Sequence, residues 1–172
     1  MGAVRGGNAQ QLAILFERYH LALFRFYYRL SGDRQSSEDL VQEVFWRILK
    51  YRETYQPGAP FTTWMYRIAR NAQTDHWRKK KPEVGFADNW DAPAEPGVTL
   101  EEKEQHELVR RALAMLPAEK REVLVLSRYQ GMKYEQIADL LGCEVGTIKV
   151  RVFRAVRELK DIFLQLQGAR AT

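Results

Sequence analysis

The sequence predicts an all-α fold of two small helical domains joined by a flexible acidic linker. Three observations carry this expectation. Apolar residues recur at three- and four-residue spacing over most of the chain, the signature of amphipathic helices. No stretch alternates convincingly at period two, so no strand is expected. Between residues 82 and 100 the pattern stops: Pro82, Pro93, Pro96, Gly85 and Gly97 stand with four acids (Glu83, Asp88, Asp91, Glu95) and no Lys or Arg, a composition suited to a tether. The expected division is therefore 1–81, 82–100 and 101–172.

Taken in order, Leu12–Leu30 reads as the first helix, ended by Ser31-Gly32-Asp33. The second, Glu38–Lys50, has Ser36 or Ser37 as its cap and Asp39 in its first turn, where an acid suits the helix dipole. Gln56-Pro57-Gly58-Ala59-Pro60 separates it from the third, Thr63–Lys80. Beyond the linker, Glu101–Leu116 is stopped by Pro117, which can itself open Ala118–Tyr129. Gly131 ends that helix. Tyr134–Leu141 and Val145 to about Leu166 follow, parted by Gly142-Cys143-Glu144.

Composition narrows the function. The 172 residues carry a net charge of +5, a modest excess whose meaning depends on where the basic residues cluster. The longest unbroken aliphatic or aromatic run is Leu12–Phe16, far short of the roughly 18 apolar residues of a spanning helix. A cytoplasmic protein without membrane insertion is expected. A lone Cys143 and the scattered His20, His76 and His106 give no disulfide and no metal-ligand spacing, and Cys143 reads as a small buried hydrophobe. There is no Gly-rich phosphate loop, Gly-x-Ser-x-Gly or His-Glu-x-x-His. No catalytic residue, metal, cofactor or small-molecule substrate is expected.

The carboxyl-terminal half carries the most specific pattern. Counting Tyr134 as the first position, Ala138 is fifth, Gly142 ninth and Ile148 fifteenth, the spacing of a helix-turn-helix. Ala138 must be small where two helices cross, Gly142 supplies a positive φ, and Ile148 with Ile137 and Leu141 locks the second helix onto the first. On the last helix Ile148, Val152, Ala155, Val156 and Leu159 share an inward face. Opposite lie Lys149, Val150, Phe153, Arg154, Arg157 and Lys160, and Val145–Lys160 holds five basic residues against one acid, Glu158. Such cations can neutralise phosphates and read guanine edges, while Phe153 and Val150 can touch thymine methyl groups. The competing reading is an ordinary helical hairpin with a solvated charged face.

In the amino-terminal half, Met65, Ile68, Ala69, Ala72 and His76 form the inner face of the third helix, with His76 a core or boundary residue. The opposite face holds Tyr66, Arg67, Arg70, Thr74, Trp77 and Arg78 and runs into Lys79-Lys80-Lys81, with Trp64 and Asn71 at an edge. Cations interleaved with aromatics suit a single strand, whose bases stack on rings while its backbone follows the cations. Trp64 and Tyr66 equally fit simple packing on a neighbouring helix. On the second helix Leu40, Val41, Val44, Phe45 and Ile48 face inward, leaving Asp39, Gln42, Glu43, Trp46 and Arg47 outside; a Trp among charges suits a protein partner.

Together these residues resemble a known family. Glu38-Asp39-Leu40-Val41-Gln42-Glu43-Val44-Phe45 and Phe61-Thr62-Thr63-Trp64-Met65-Tyr66-Arg67-Ile68-Ala69-Arg70-Asn71, followed by Asp75-His76-Trp77-Arg78, look like region two of the extracytoplasmic-function sigma factors. Leu116-Pro117 through Arg157 is similar to their region four. The resemblance implies a dissociable subunit of bacterial RNA polymerase that binds promoter DNA, duplex and single-stranded, at the minus-thirty-five and minus-ten elements and promotes melting. It implies partners: core polymerase, through the β′ clamp helices and the β flap, and an anti-sigma factor. It assigns Asp39, Gln42, Glu43, Trp46 and Arg47 to core binding, with Trp46 at a position more often aliphatic in relatives.

The same resemblance assigns Phe61, Trp64, Tyr66, Arg67, Arg70, Asn71, Thr74, Trp77, Arg78, Lys79 and Lys80 to the minus-ten element, Asn71 matching the polar residue that holds a flipped base. It assigns Thr147, Lys149, Val150, Arg151, Phe153, Arg154 and Arg157 to the minus-thirty-five element. Val150 stands where relatives often have Ser, and Glu144 where a capping Ser or Pro is usual. The acidic linker is expected either along the RNA exit path or as a solvated tether. The rival to this whole reading is a conventional helix-turn-helix regulator of duplex DNA, for which Tyr134–Arg157 would suffice; an enzyme with a helical DNA-binding tail is disfavoured by the missing catalytic constellation.

Overall fold

The computed structural model describes residues 9–79 and 99–170. Among them there is no strand, and the helices run α1 (Ala9–Ser31), α2 (Arg34–Lys50), α3 (Phe61–Lys79), α4 (Leu100–Met115), α5 (Ala118–Leu124), α6 (Tyr134–Leu141) and α7 (Val145–Arg170). A short 3₁₀ turn, Arg52–Thr54, follows α2, and a π turn, Val125–Tyr129, extends α5. The expected linker lies outside the described residues except for Thr99 and Leu100, which already begin α4.

Several helix boundaries move, for local reasons. Gly32 takes φ +72° after α1, and Asp33 becomes the cap of α2, its carboxylate accepting the Ser36 N–H at 3.2 Å. The expected Ser36 and Ser37 caps are instead buried within the first turn, and Asp39 falls beyond it. Asp caps a helix as well as Ser does, so the glycine turn decides the start. Thr99 and Glu102 form a capping box that opens α4: the Glu102 N–H donates to Thr99 Oγ1 (3.2 Å) and the Thr99 N–H to Glu102 Oε2 (2.8 Å). The Thr99 N–H and the Thr99 hydroxyl, which also donates to Glu102 Oε2 (3.0 Å), together hold the exposed Glu102 carboxyl below its ordinary pKa.

In the first unit, α1, α2 and α3 bury Leu23, Phe26, Tyr27, Val44, Ile48, Met65 and Ala69. Each large side chain contributes roughly 1.5–3 kcal/mol of burial. Tyr27 is fully buried, yet its hydroxyl donates to the Ala69 carbonyl at 2.8 Å, tying α1 to α3. Burial pushes its pKa well up, keeping the donor protonated. In the second unit α4, α5 and α6 pack on α7 around Leu124, Leu126, Ile137, Ile148, Val152 and Ala155. Gly142 caps α6 with φ +65° and ψ +42°, the left-handed turn that the helix-turn-helix spacing requires. Val156, expected inside, is 40% exposed: the inward stripe of α7 keeps Ile148, Val152, Ala155 and the half-buried Leu159, because neighbours cover only one side of the helix.

The two units pack against each other around a continuous core. Arg121, 8% exposed, donates to the Leu30 carbonyl of α1 (2.5 Å) and to the Ala114 (2.5 Å) and Leu116 (2.9 Å) carbonyls at the end of α4. It thus serves two helix carboxyl ends, where carbonyls lack intrahelical partners and a cation suits the dipole. The π turn lies against α1: the Arg29 guanidinium sits 4.3 Å from the centre of the Tyr129 ring, and Gln130 Nε2 donates to the Ala22 carbonyl at 3.5 Å.

Candidate nucleic-acid interface

The outer face of α7 is open. Thr147, Lys149, Val150, Arg151, Phe153, Arg154 and Arg157 are all exposed, Phe153 at 69% and Val150 at 48%. The buried Ile148 and Val152 on the opposite side fix the helix, so these side chains are presented rather than free to re-pack. None of the four cations is ion-paired with an acid among the described residues. Glu158, the single acid of this stretch, is taken by Lys120 of α5. The result is an uncompensated basic face with an apolar centre, of the width that a major groove admits.

The outer face of α3 is different. Tyr66 is buried at 3% exposure, and its hydroxyl donates to Gln130 Oε1 at 2.6 Å. Burial raises its pKa. Arg67 pairs with Asp139 of α6 (2.8 Å) and Arg70 with Glu122 of α5 (2.9 Å). The sequence expectation of an outward Tyr66 is therefore corrected. The residue lies about 100° round the helix from Met65, where its ring meets Phe26 of α1 edge-on at 5.2 Å and its hydroxyl meets Gln130 of the second unit.

Trp64 is also largely packed. Its ring centre lies 5.5 Å from that of Tyr55 and 5.9 Å from that of Phe61, and its Nε1–H donates to Thr54 Oγ1 at 3.3 Å. Phe61 in turn meets Tyr19 at 5.2 Å. These rings brace the 55–61 loop, whose Tyr55 hydroxyl donates to the Ala59 carbonyl at 2.7 Å.

Farther along α3, Asn71, Thr74, Trp77 and Arg78 are exposed. Asn71 and Thr74 line a shallow cleft between α2 and α3 with Arg47, Tyr51, Ile68 and Asp75. Tyr51 was not among the expected site residues, and only its place next to the turn after α2 hinted at it. The Lys79 side chain and Lys80 lie outside the described residues.

On α2, Asp39, Gln42 and Trp46 are exposed, Trp46 at 55% with the Lys50 ammonium 4.8 Å from its ring centre. Leu49 and Tyr51 extend this apolar area. Arg47, expected outside, is turned inward with 17% of its side chain exposed; it bonds Glu43 (2.6 Å) and Asp75 (2.9 Å). Burial opposes its charge, but those two carboxylates outweigh it and raise the pKa. The pairing to Asp75, 28 residues away, clamps α2 to α3, a role that helical periodicity alone does not reveal.

With this geometry in view, the matches to known proteins are consistent along the chain. Residues 15–83 match the model of Sigma-70 region 2, and residues 106–159 that of Sigma-70, region 4. Two such modules on one chain define a promoter-specificity subunit of bacterial RNA polymerase. The chain belongs to the extracytoplasmic-function group of the sigma-70 family, and as such directs promoter-specific transcription initiation with the core enzyme.

Among its relatives, the sigma factor EcfG of Rhodopseudomonas palustris is 38% identical over 86% of this chain and 82% of its own length. SigL of Mycobacterium tuberculosis is 34% identical over 99% of this chain and all of its own. In fold, it resembles the sigma factor RpoE from Bartonella quintana, solved in complex with the anti-sigma factor NepR, with a TM-score of 0.76, 28% identity, and coverage of 90% of this chain and 97% of that one. The conventional-regulator reading is not favoured, since region 2 accounts for the half of the chain that it leaves unexplained.

Proposed function

We propose that the two units divide promoter recognition as the family would divide it, with 1–81 handling core binding and the minus-ten element and 101–172 the minus-thirty-five element. The observation that carries this reading is the outer face of α7: exposed, basic, without acid partners among the described residues, and set on a buried helix-turn-helix packing. Lys149, Arg151, Arg154 and Arg157 meet phosphates and guanine edges, Val150 and Phe153 meet thymine methyls, and Thr147 meets phosphate near the amino end of α7.

On α3, Asn71 holds an unstacked base in the cleft it shares with Tyr51, while Arg67, Arg70, Thr74, Trp77, Arg78, Lys79 and Lys80 follow the strand. Phe61 and Trp64 act by bracing the loop beside it. Asp39, Gln42, Glu43 and Trp46 form the core-binding face, with Arg47 holding that face on α3. The partner set includes an anti-sigma factor, by likeness to the Bartonella quintana sigma factor solved with NepR. The protein acts in the cytoplasm without catalysis of its own; no helix among the described residues is long and apolar enough to cross a membrane.

Transcription of fragmented host genomic DNA by sigma-free core polymerase, with and without the protein, tests the reading. Discrete new starts sharing an upstream motif are expected. Unchanged starts, with duplex binding but no core binding, would replace it with the conventional regulator.

A further inference from the structure

The basic stretch of α7 contains one acid, Glu158, and that acid has a single cation within helical reach. Three and four positions away from Glu158 stand Arg154, Ala155, Asp161 and Ile162, the spacings at which side chains on one helix meet. Arg154 is the only base among them, and it belongs to the exposed outer face. Left to their own helix, Glu158 and Arg154 would pair. They do not: the Glu158 carboxylate takes Lys120 of α5, while Arg154 stays exposed and without an acid partner among the described residues. We propose that Lys120 is a positioning residue for upstream recognition, which draws Glu158 away from Arg154 and so keeps that guanidinium available to DNA. This rests on the proposed assignment of α7 to the minus-thirty-five element.

Packing decides which base the acid takes. Helix α5 lies against α7, and the Lys120 and Glu158 side chains are 37% and 35% exposed, so water screens their pair less than it would one on the open face. The rival pair would set the acid on the carboxyl side of the base, the less favourable order on a helix. Removing Lys120 hands Glu158 back to Arg154. The carboxylate would then offer the guanidinium the same paired oxygens as a phosphate, and DNA would have to displace it. Lys149, Arg151 and Arg157 do not stand three or four positions from Glu158, so the effect falls on Arg154 alone.

The test uses the full chain in the holoenzyme at low ionic strength, where exposed charge pairs are least screened. It reads the ratio of transcription from a promoter with the upstream motif found by start mapping to transcription from the same promoter with that motif scrambled. The ratio cancels the uniform loss that any deleted cation causes through phosphates. K120Q should lower it about two-fold, E158Q should leave it unchanged, and K120Q/E158Q should restore the wild-type value, because without the carboxylate Arg154 has no rival. If the pair merely fastens α5 to α7, E158Q loses as much as K120Q and the double variant is not rescued; that result, or an unchanged ratio in K120Q, would overturn the role of Lys120. R154A separates this from the reading beneath it. An unchanged ratio in R154A means that the α7 assignment itself fails, whereas a loss of about five-fold or more in R154A, beside an unaffected K120Q or a weakened E158Q, removes only the role of Lys120.

Discussion

Helices α3 and α7 begin as the same kind of object and end in different situations. Each is amphipathic, each buries one stripe in its own bundle, and each presents cations and aromatics on the other side. Yet Phe153 stands 69% exposed on α7 while Tyr66 stands 3% exposed on α3. Two contacts make the difference: the Tyr66 ring packs edge-on against Phe26 of α1, and Gln130, Asp139 and Glu122 of the second unit engage Tyr66, Arg67 and Arg70, whereas none of the α7 cations is paired with an acid among the described residues. Periodicity identifies the face that points away from a helix's own bundle. It does not reveal whether another part of the chain will use that face.

The largest effect that separates the two regions should come from beneath α7. Ile148→Ala empties a fully buried site and should cost roughly 2–5 kcal/mol of stability in chemical denaturation, removing upstream recognition while core binding by α2 persists. Next, Arg121→Met should cost roughly 2–3 kcal/mol through three lost charged hydrogen bonds, of which the one to Leu30 crosses between the units; calorimetry should show the two units melting apart, and a single unshifted transition would deny that this side chain joins them.

Lys149→Ala and Arg154→Ala act on the open reader alone. Each should lose roughly 1–3 kcal/mol of discrimination between native and mutated upstream elements, with polymerase affinity unchanged in a competition assay. Equal transcription from both promoters in wild type would remove the basis for this prediction. The smallest effect belongs to the cleft: Asn71→Ala should slow promoter opening by about ten-fold or less, about 1 kcal/mol, and leave duplex binding by α7 intact. Permanganate footprints taken alongside mobility shifts would measure both.

The sequence exposed much of this organisation, and the failures have physical causes. The helix-turn-helix was readable because Ala138, Gly142 and Ile148 each satisfy a local steric demand, and local demands leave fixed spacings. The start of α2 was misplaced because Asp33, Ser36 and Ser37 are all competent caps; the choice rested on Gly32, whose positive φ ends α1 one residue earlier. The extension of α5 as a π turn was missed because its bond from the Gln130 N–H to the Val125 carbonyl, 3.0 Å, leaves no mark in apolar spacing. Arg47 and Tyr66 turn inward although helical spacing places them outward, for one shared reason: their partners Asp75 and Gln130 lie 28 and 64 residues away, beyond any helical repeat.

The Arg121 joint bears on what kind of event an opening of the two units is. The carbonyl it serves across the joint, that of Leu30, belongs to the closing turn of α1, a position where a solvent molecule is as competent a donor as a guanidinium. Parting the units there exchanges one donor for another and leaves no orphaned group behind. The opened molecule would then be a second native state, with every helix retained and its polar groups rehydrated, able to cycle back to the closed one without visiting the unfolded ensemble.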